Sequence, residues 1–248
     1  MSAPHGITAV VTGAASGIGR AVTQRLRNEG NRVAACDIAP RIADTPDGHV
    51  LDVADAAAVD ATIERIENDI GEISVLVNAA GVLQPASILD MHDADWNAMV
   101  AVNTTGVLNM MRAVARHMAP RRTGSIVTVS SNAGGVPRQK IGGYAATKAA
   151  ATHLTRCMGL ELAPLGIRCN IVAPGSTDTP MLRRLWGVEA IDPTEVSAGD
   201  PSGFRVGIPL GTVADPDDVA ACVCFLASDD ASQLTLQELY VDGGAALR

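Results

Sequence analysis

The stretch from Ile7 to Asn28 restricts the fold of this chain more than any other. Ile7 to Thr12 (ITAVVT) is a short, charge-free, β-branched run, as expected of a strand buried on both faces. It leads into TGAASGIG, punctuated by Gly13, Gly17 and Gly19, and then into an amphipathic helix from Arg20 to Asn28. Strand, glycine turn and helix in that order are the opening of a parallel α/β sheet, because a parallel strand needs a helical crossover to return. They also make an anion site. A helix start presents unpaired N–H groups and a positive dipole end, and glycines let the backbone approach a pyrophosphate closely. Gly13, Ser16, Gly17, Ile18 and Gly19 are the candidate phosphate residues.

The rest of the chain repeats this alternation. Arg32 to Asp37 reads as a second strand, closing on an acid about 20 residues after the glycine turn, where a dinucleotide fold places its ribose-binding carboxylate. Asp37 would accept from the ribose hydroxyls and repel a 2′-phosphate, and Ser16 cannot compensate, which favours NAD over NADP. His49 to Val53 is a short third strand, bringing Asp52 and Val53 towards the adenine edge. Asp55 to Ile70 is a helix ended by Gly71. Ile73 to Val77 is a fourth strand, followed by Asn78-Ala79-Ala80-Gly81, small residues that let a cofactor pass close by.

A long helix runs from Asp93 to His117 with Asn103 in its middle; on position alone that amide reads as solvated or backbone-bonded. Ser125 to Ser130 is the fifth strand, with Ser131 at the end where open parallel sheets bind ligands. A helix from Tyr144 to about Ala163 and a sixth strand, Ile167 to Ala173, stopped by Pro174-Gly175, come next. Residues 179–210, rich in proline and glycine around Trp186 and Phe204, read as a lid. A helix from Asp217 to Ser228 and a seventh strand, Leu236 to Val241, finish the chain. The expected fold is α/β: a single doubly wound, Rossmann-type domain over residues 1–248, with a seven-stranded parallel sheet and helices on both faces.

Composition fits and excludes alternatives. Apolar residues make up 47% of the chain but aromatics only 2%, so the core is mostly Ala, Val, Leu and Ile. A net charge of −8 without a basic, aromatic-interleaved run argues against nucleic acid as a partner. The five cysteines (Cys36, Cys157, Cys169, Cys222, Cys224) include no C-x-x-C pair and read as reduced core residues. The histidines lack ligand spacing, so no metal is expected. No apolar run reaches the roughly 18 residues a membrane span needs. Met1 to Gly6 lacks the features of a signal peptide. The expected location is the cytoplasm.

Tyr144 and Lys148 stand four apart on one helix face, where an ammonium can favour an ionised phenol. Taken together, TGAASGIG, Asp37, NAAG at Asn78 to Gly81, Asn103, Ser131, Tyr144-x-x-x-Lys148, Pro174-Gly175 and VDGG resemble the short-chain dehydrogenase/reductase family across essentially the whole chain, in order. The resemblance implies that Tyr144 is the general base and that Lys148 holds the nicotinamide ribose and lowers the tyrosine pKa. It implies further that Ser131 positions the substrate hydroxyl, Asn103 anchors a proton-relay water, and Thr177 and Thr179 lie at the nicotinamide. Bringing a free tyrosine from about 10 to near 7 needs roughly 4 kcal/mol of phenolate stabilisation.

Four stretches, AAGVLQP, SNAGGVPR, RCNIVAPGSTDTPM and IPLG through LQELYVDGGAAL, are similar to the branch of that family that oxidises 2,3-dihydro-2,3-dihydroxybenzoate. That resemblance implies NAD-dependent oxidation of a ring C3 hydroxyl to an aromatic acid, as in siderophore synthesis, by a homotetramer. The substrate carboxylate needs a cation, for which Arg138 is the candidate. Met181, Leu182, Trp186 and Phe204 would close over the ring. One departure is Gln84, where the branch carries arginine. It leaves open an amino analogue, trans-2,3-dihydro-3-hydroxyanthranilate, and, more remotely, an NADPH-dependent ketoreductase.

Overall fold

The computed structural model describes residues 6–247. The reading of Met1 to Gly6 as free of a signal peptide therefore lies almost wholly outside the described residues. The β-branched, mostly apolar runs form the sheet. β1 (Thr8–Thr12), β2 (Arg32–Asp37), β3 (Gly48–Val50), β4 (Ile73–Asn78), β5 (Gly124–Val129), β6 (Ile167–Pro174) and β7 (Glu238–Val241) pair in the order β3-β2-β1-β4-β5-β6-β7. Every pairing is parallel. The order reverses between β1 and β4, so the crevice beyond their carboxyl ends is the natural ligand site.

Alternate residues of the strands face two separate cores. Val10, Leu76, Ile126 and Cys169 pack beneath α2 (Ala56–Asp69), α4 (Val107–Arg121) and α5 (Gly142–Leu162). Val11, Val77, Val127 and Val172 pack beneath α1 (Gly17–Asn28) and α8 (Pro216–Ala227). Helix starts follow local chemistry. The Asp55 carboxylate accepts from Ala57 and Ala58 N–H at 3.0 Å each, and Asp215 with Asp218 forms a capping box on α8.

The expected helix from Asp93 to His117 is interrupted. α3 (Asp93–Val100) passes into a π-helical turn, Ala101–Gly106, before α4 resumes. Its cause is local competition: the Asn103 and Thr104 side chains bond to groups outside the helix, and Gly106 packs against Val53, where a Cβ would come within 2.5 Å of Val53 Cγ2. The third strand is also shorter than expected, since Leu51 to Val53 leave the sheet for a turn.

The stretch 179–210 contains two short helices, α6 (Pro180–Trp186) and α7 (Pro193–Ser197), and a 3₁₀ turn, Pro201–Gly203. The cysteine reading needs one correction. All five are free thiols, but Cys157 is exposed on α5, and Cys222 is only half-buried at the edge of the core beneath α8. Among the described residues no helix is long and apolar enough to cross a membrane, and no cluster of His, Cys, Asp and Glu could hold a metal ion.

Candidate active site

The carboxyl ends of β1, β4, β5 and β6 open into a cleft of about 210 Å³. Ser131, Tyr144 and Lys148 line it, with Ile18, Ala79, Gly81, Pro174, Gly175, Thr177, Thr179, Arg138, Met181 and Trp186 around them. Most of the sequence-derived site is therefore one surface.

At the nucleotide end, Gly13 adopts φ +68°, and a Cβ there would lie 2.8 Å from the Ala79 carbonyl oxygen. Only glycine lets β1 turn this tightly against the loop after β4. Ser16 precedes α1 without a side-chain cap, and the first turn holds no acid, so its N–H groups and dipole remain available to a phosphate. The Asp37 carboxylate is fixed between Ala15 N–H and Ala39 N–H, 2.9 Å from each, and stays partly exposed. Glycine cradle, uncapped helix start and oriented acid fit a dinucleotide. Asp52 is exposed and accepts from Ala54 N–H at 2.9 Å, while Val53 is buried and its carbonyl accepts from Asn109. Asn78 is buried, donates to Thr128 Oγ1, and keeps an unpartnered carbonyl oxygen.

The chemical end is a network of buried polar side chains. Tyr144 is 8% exposed and hydrogen-bonded to the Ser131 hydroxyl; Ser131 in turn accepts from Ala133 N–H at 3.2 Å. Lys148, 4% exposed, donates to the Val129 carbonyl at 2.9 Å, and its Nζ lies 5.8 Å from the Tyr144 ring centre. Asn103 does not line the cleft. Its amide accepts from Val82 N–H and donates to the Val82 carbonyl, both at 2.8 Å, and donates to Thr147 Oγ1 at 3.0 Å. That clamp fixes the loop after β4 to α5, agreeing with the backbone-bonded reading of the position.

Burial governs the titration of both central groups. It pushes the Tyr144 phenol up to about 12, opposed in part by the Ser131 hydrogen bond, and pulls Lys148 down to about 8. Burial and the Ser131 hydroxyl are the influences felt at the phenol, while the Lys148 ammonium donates to the Val129 carbonyl.

The substrate end differs from expectation in two places. Phe204 is 85% exposed with φ +53°, outside the cleft, and its neighbours Arg205 and Val206 line the cleft instead. The chain turns through the left-handed region at Phe204, which sends consecutive side chains different ways. Gln84 is exposed and also outside the cleft lining, to which its neighbour Leu83 contributes. Arg138 lines the cleft half-buried; burial and then the nearby Arg205 pull its pKa down, with Asp242 opposing.

Several supporting residues escape sequence reading. Thr12 Oγ1 accepts from Ala79 and Ala80 N–H at 3.0 and 3.1 Å, tying β1 to the loop after β4. Thr147 Oγ1 donates to the Tyr144 carbonyl at 2.8 Å. Asp242 accepts from Asn132 Nδ2 at 3.1 Å and from Gly244 and Ala246 N–H, so the end of β7 steadies the loop carrying Ser131. A Cβ at Gly175 would lie 2.6 Å from Asp242 Cβ, which explains the small residue after Pro174. The only sequence signal for Asp242 was its VDGG setting; Thr12 and Thr147 gave none.

Comparison with known proteins agrees with this geometry. A family model described as Enoyl-(Acyl carrier protein) reductase matches residues 13–246. The 2,3-dihydro-2,3-dihydroxybenzoate dehydrogenase of Bacillus subtilis (strain 168) is 46% identical, over 98% of this chain and 97% of that protein. The vibriobactin-specific 2,3-dihydro-2,3-dihydroxybenzoate dehydrogenase of Vibrio cholerae serotype O1 (strain ATCC 39315 / El Tor Inaba N16961) is 40% identical, over 96% and 95%. Among solved structures, the ligand-free aldohexose dehydrogenase of Thermoplasma acidophilum superposes with a TM-score of 0.88 at 34% identity, covering 98% of this chain and 95% of that one. With the glycine cradle, Ser131, Tyr144 and Lys148 assembled on a doubly wound sheet, the chain belongs to the short-chain dehydrogenase/reductase family.

Proposed function

We propose that this protein is an NAD-dependent dehydrogenase that oxidises the C3 hydroxyl of 2,3-dihydro-2,3-dihydroxybenzoate to give 2,3-dihydroxybenzoate, in the biosynthesis of siderophores or related metabolites. The observation that carries the reading is a single cleft lined by both the buried Ser131–Tyr144 pair and the cationic Arg138, as an acid with a ring alcohol requires. The 46% identity to a curated dehydrogenase of that substrate supports it. When bound, NAD⁺ supplies a hydride acceptor and a positive charge beside the phenol.

The residues divide the remaining work. Ser131 holds the substrate hydroxyl, and ionised Tyr144 takes its proton. Bringing that phenol from about 12 to near 7 requires on the order of 7 kcal/mol of phenolate stabilisation. Lys148 contributes by holding the cofactor ribose close. Arg138 pairs with the carboxylate, and Met181, Leu182 and Trp186 cover the ring. Asp37 accepts from the adenosine ribose, which selects NAD over NADP and argues against a ketoreductase. The working form on this reading is a cytoplasmic homotetramer, and residues 179–210 are its substrate lid. No observation favours the amino analogue, since Gln84, the departure that raised it, lies outside the cleft lining.

Absorbance at 340 nm during incubation with NAD⁺ and each ring acid in turn tests the reading. The expected result is faster turnover of the dihydrodiol acid than of trans-2,3-dihydro-3-hydroxyanthranilate, and faster with NAD⁺ than with NADP⁺. No turnover of the dihydrodiol acid, or the reverse preference, overturns it.

A further inference from the structure

A second cation faces the same cleft as Arg138. Arg205 lines the cleft, and its guanidinium stacks on the Trp186 ring at 5.1 Å from the ring centre. The backbone around it is a small closed hairpin. Asp200 N–H donates to the Arg205 carbonyl at 2.8 Å, and Arg205 N–H donates to the Asp200 carbonyl at 2.9 Å. At the hairpin base a Cβ on Gly199 would meet Gly207 N at 2.6 Å, so the two arms touch. The turn is capped from within: the Asp200 carboxylate accepts from Ser202 N–H at 3.0 Å and from the Ser202 hydroxyl at 2.6 Å.

Two guanidinium groups on one cleft repel each other, and their mutual effect is felt at Arg138. Neither forms an ion pair within 4.0 Å of an acid among the described residues, although five other arginines do. Asp242, the acid felt at Arg138, is already committed to Asn132, Gly244 and Ala246, and Asp200 to Ser202. Two like charges sharing a partly apolar cleft, each with an acid only beyond ion-pair distance, are stabilised when an anion arrives between them. A planar carboxylate suits two guanidinium forks.

We propose that Arg205, held against Trp186 on the 199–207 hairpin, is a second ligand of the substrate carboxylate and the residue that makes this cleft select ring acids over neutral ring diols. The inference rests on the proposed function. Arg138 approaches from the fixed segment before α5, whereas Arg205 approaches from the lid. A substrate carboxylate bridging them joins lid to sheet, and a ring diol without the carboxylate has nothing with which to do so.

The test measures KM and kcat of the full-length protein with NAD⁺ on 2,3-dihydro-2,3-dihydroxybenzoate and on cyclohexa-3,5-diene-1,2-diol, which lacks the carboxylate. Arg205→Met should raise KM for the acid by about ten- to a hundredfold, the range for a lost charge-assisted hydrogen bond, with KM for the neutral diol within about twofold. Arg205→Lys should recover part of the loss, because it returns the charge without the fork. An unchanged KM for the acid, or equal losses on both substrates, overturns the proposal. A parallel titration needs no turnover. Benzoate binding is followed by Trp186 fluorescence in a Trp96→Phe background, with and without Arg205→Met. Failure of the wild-type protein to oxidise the acid would defeat the functional reading alone. The arginine assignment would then be decided by benzoate: a loss of binding in Arg205→Met supports it, and equal binding ends it.

Discussion

The floor of the cleft and the segment 179–210, its lid on the proposed function, are held in different ways. Tyr144 and Lys148 on the floor, and Thr147 and Asn103 behind it, are each at most 8% exposed, and their bonds join β5, α5, the π-helical turn and the loop after β4. Segment 179–210 carries short-range caps, Thr179 on α6, Asp192 on α7 and Asp200 on the 3₁₀ turn, and a small apolar cluster in which Val196 and Ile208 pack with Ala245. Arg183 of α6 pairs with Asp178, just ahead of the segment, at 2.7 Å. Chemistry that must not move is placed where many elements converge. On the proposed function, selectivity falls to the segment with fewer ties to the sheet.

The largest expected effect lies on the floor. Tyr144→Phe should lower kcat by at least about a thousandfold, while NADH affinity, followed by fluorescence titration, stays within about threefold. Near-normal turnover would mean that the buried phenol is only a packing group. A second effect reads the floor through pH. Lys148 has a folded pKa near 8, below its unfolded value, so between about pH 8 and 10 the unfolded chain binds the extra proton and wild-type stability rises with pH. The slope is at most about 1.4 kcal/mol per pH unit. Urea unfolding across this range should show the rise in wild type and a flatter profile in Lys148→Met; parallel profiles would show that the ammonium is not desolvated. The smallest effect belongs to the rim. Gln84→Arg, an exposed change outside the cleft lining, should alter kcat/KM for the dihydrodiol acid by less than about twofold. A tenfold gain would bring the loop after β4 into substrate binding and blur the division between floor and lid.

The same contrast explains what was legible in the chain. Strands β1, β4 and β5 were readable because both faces are buried and the runs lack charge, β2 and β6 because their charges sit near the strand ends, and α1 and α2 because their apolar spacing is helical. Ser131, Tyr144, Lys148 and the glycine turn carried local patterns. Thr12, Thr147 and Asp242 did not, since their partners lie far away in sequence and a lone threonine has no periodicity to betray it. The lid misled at Phe204 and Arg205: a single left-handed residue decides which neighbour faces the cleft, and neither residue is the glycine that would have marked it. The π-helical turn was invisible for a related reason. Its cause is the pull of Val82 and Thr147 on two side chains, which composition does not record.

That turn can be counted in residues. Each residue of an α-helix rotates the next by about 100°, and a π turn accommodates one more residue than an α turn within the same framework. Deleting a single residue between Ala101 and Gly106 would let α3 and α4 close into one regular helix with its hydrogen bonds complete. The flanking side chains, Met99 and Trp96 included, would keep their faces, and the side chains displaced would be those of the turn itself, with Asn103 and its bonds to Val82 among them. The clamp behind the catalytic floor thus amounts to one inserted amino acid, kept in a helix that would be more regular without it.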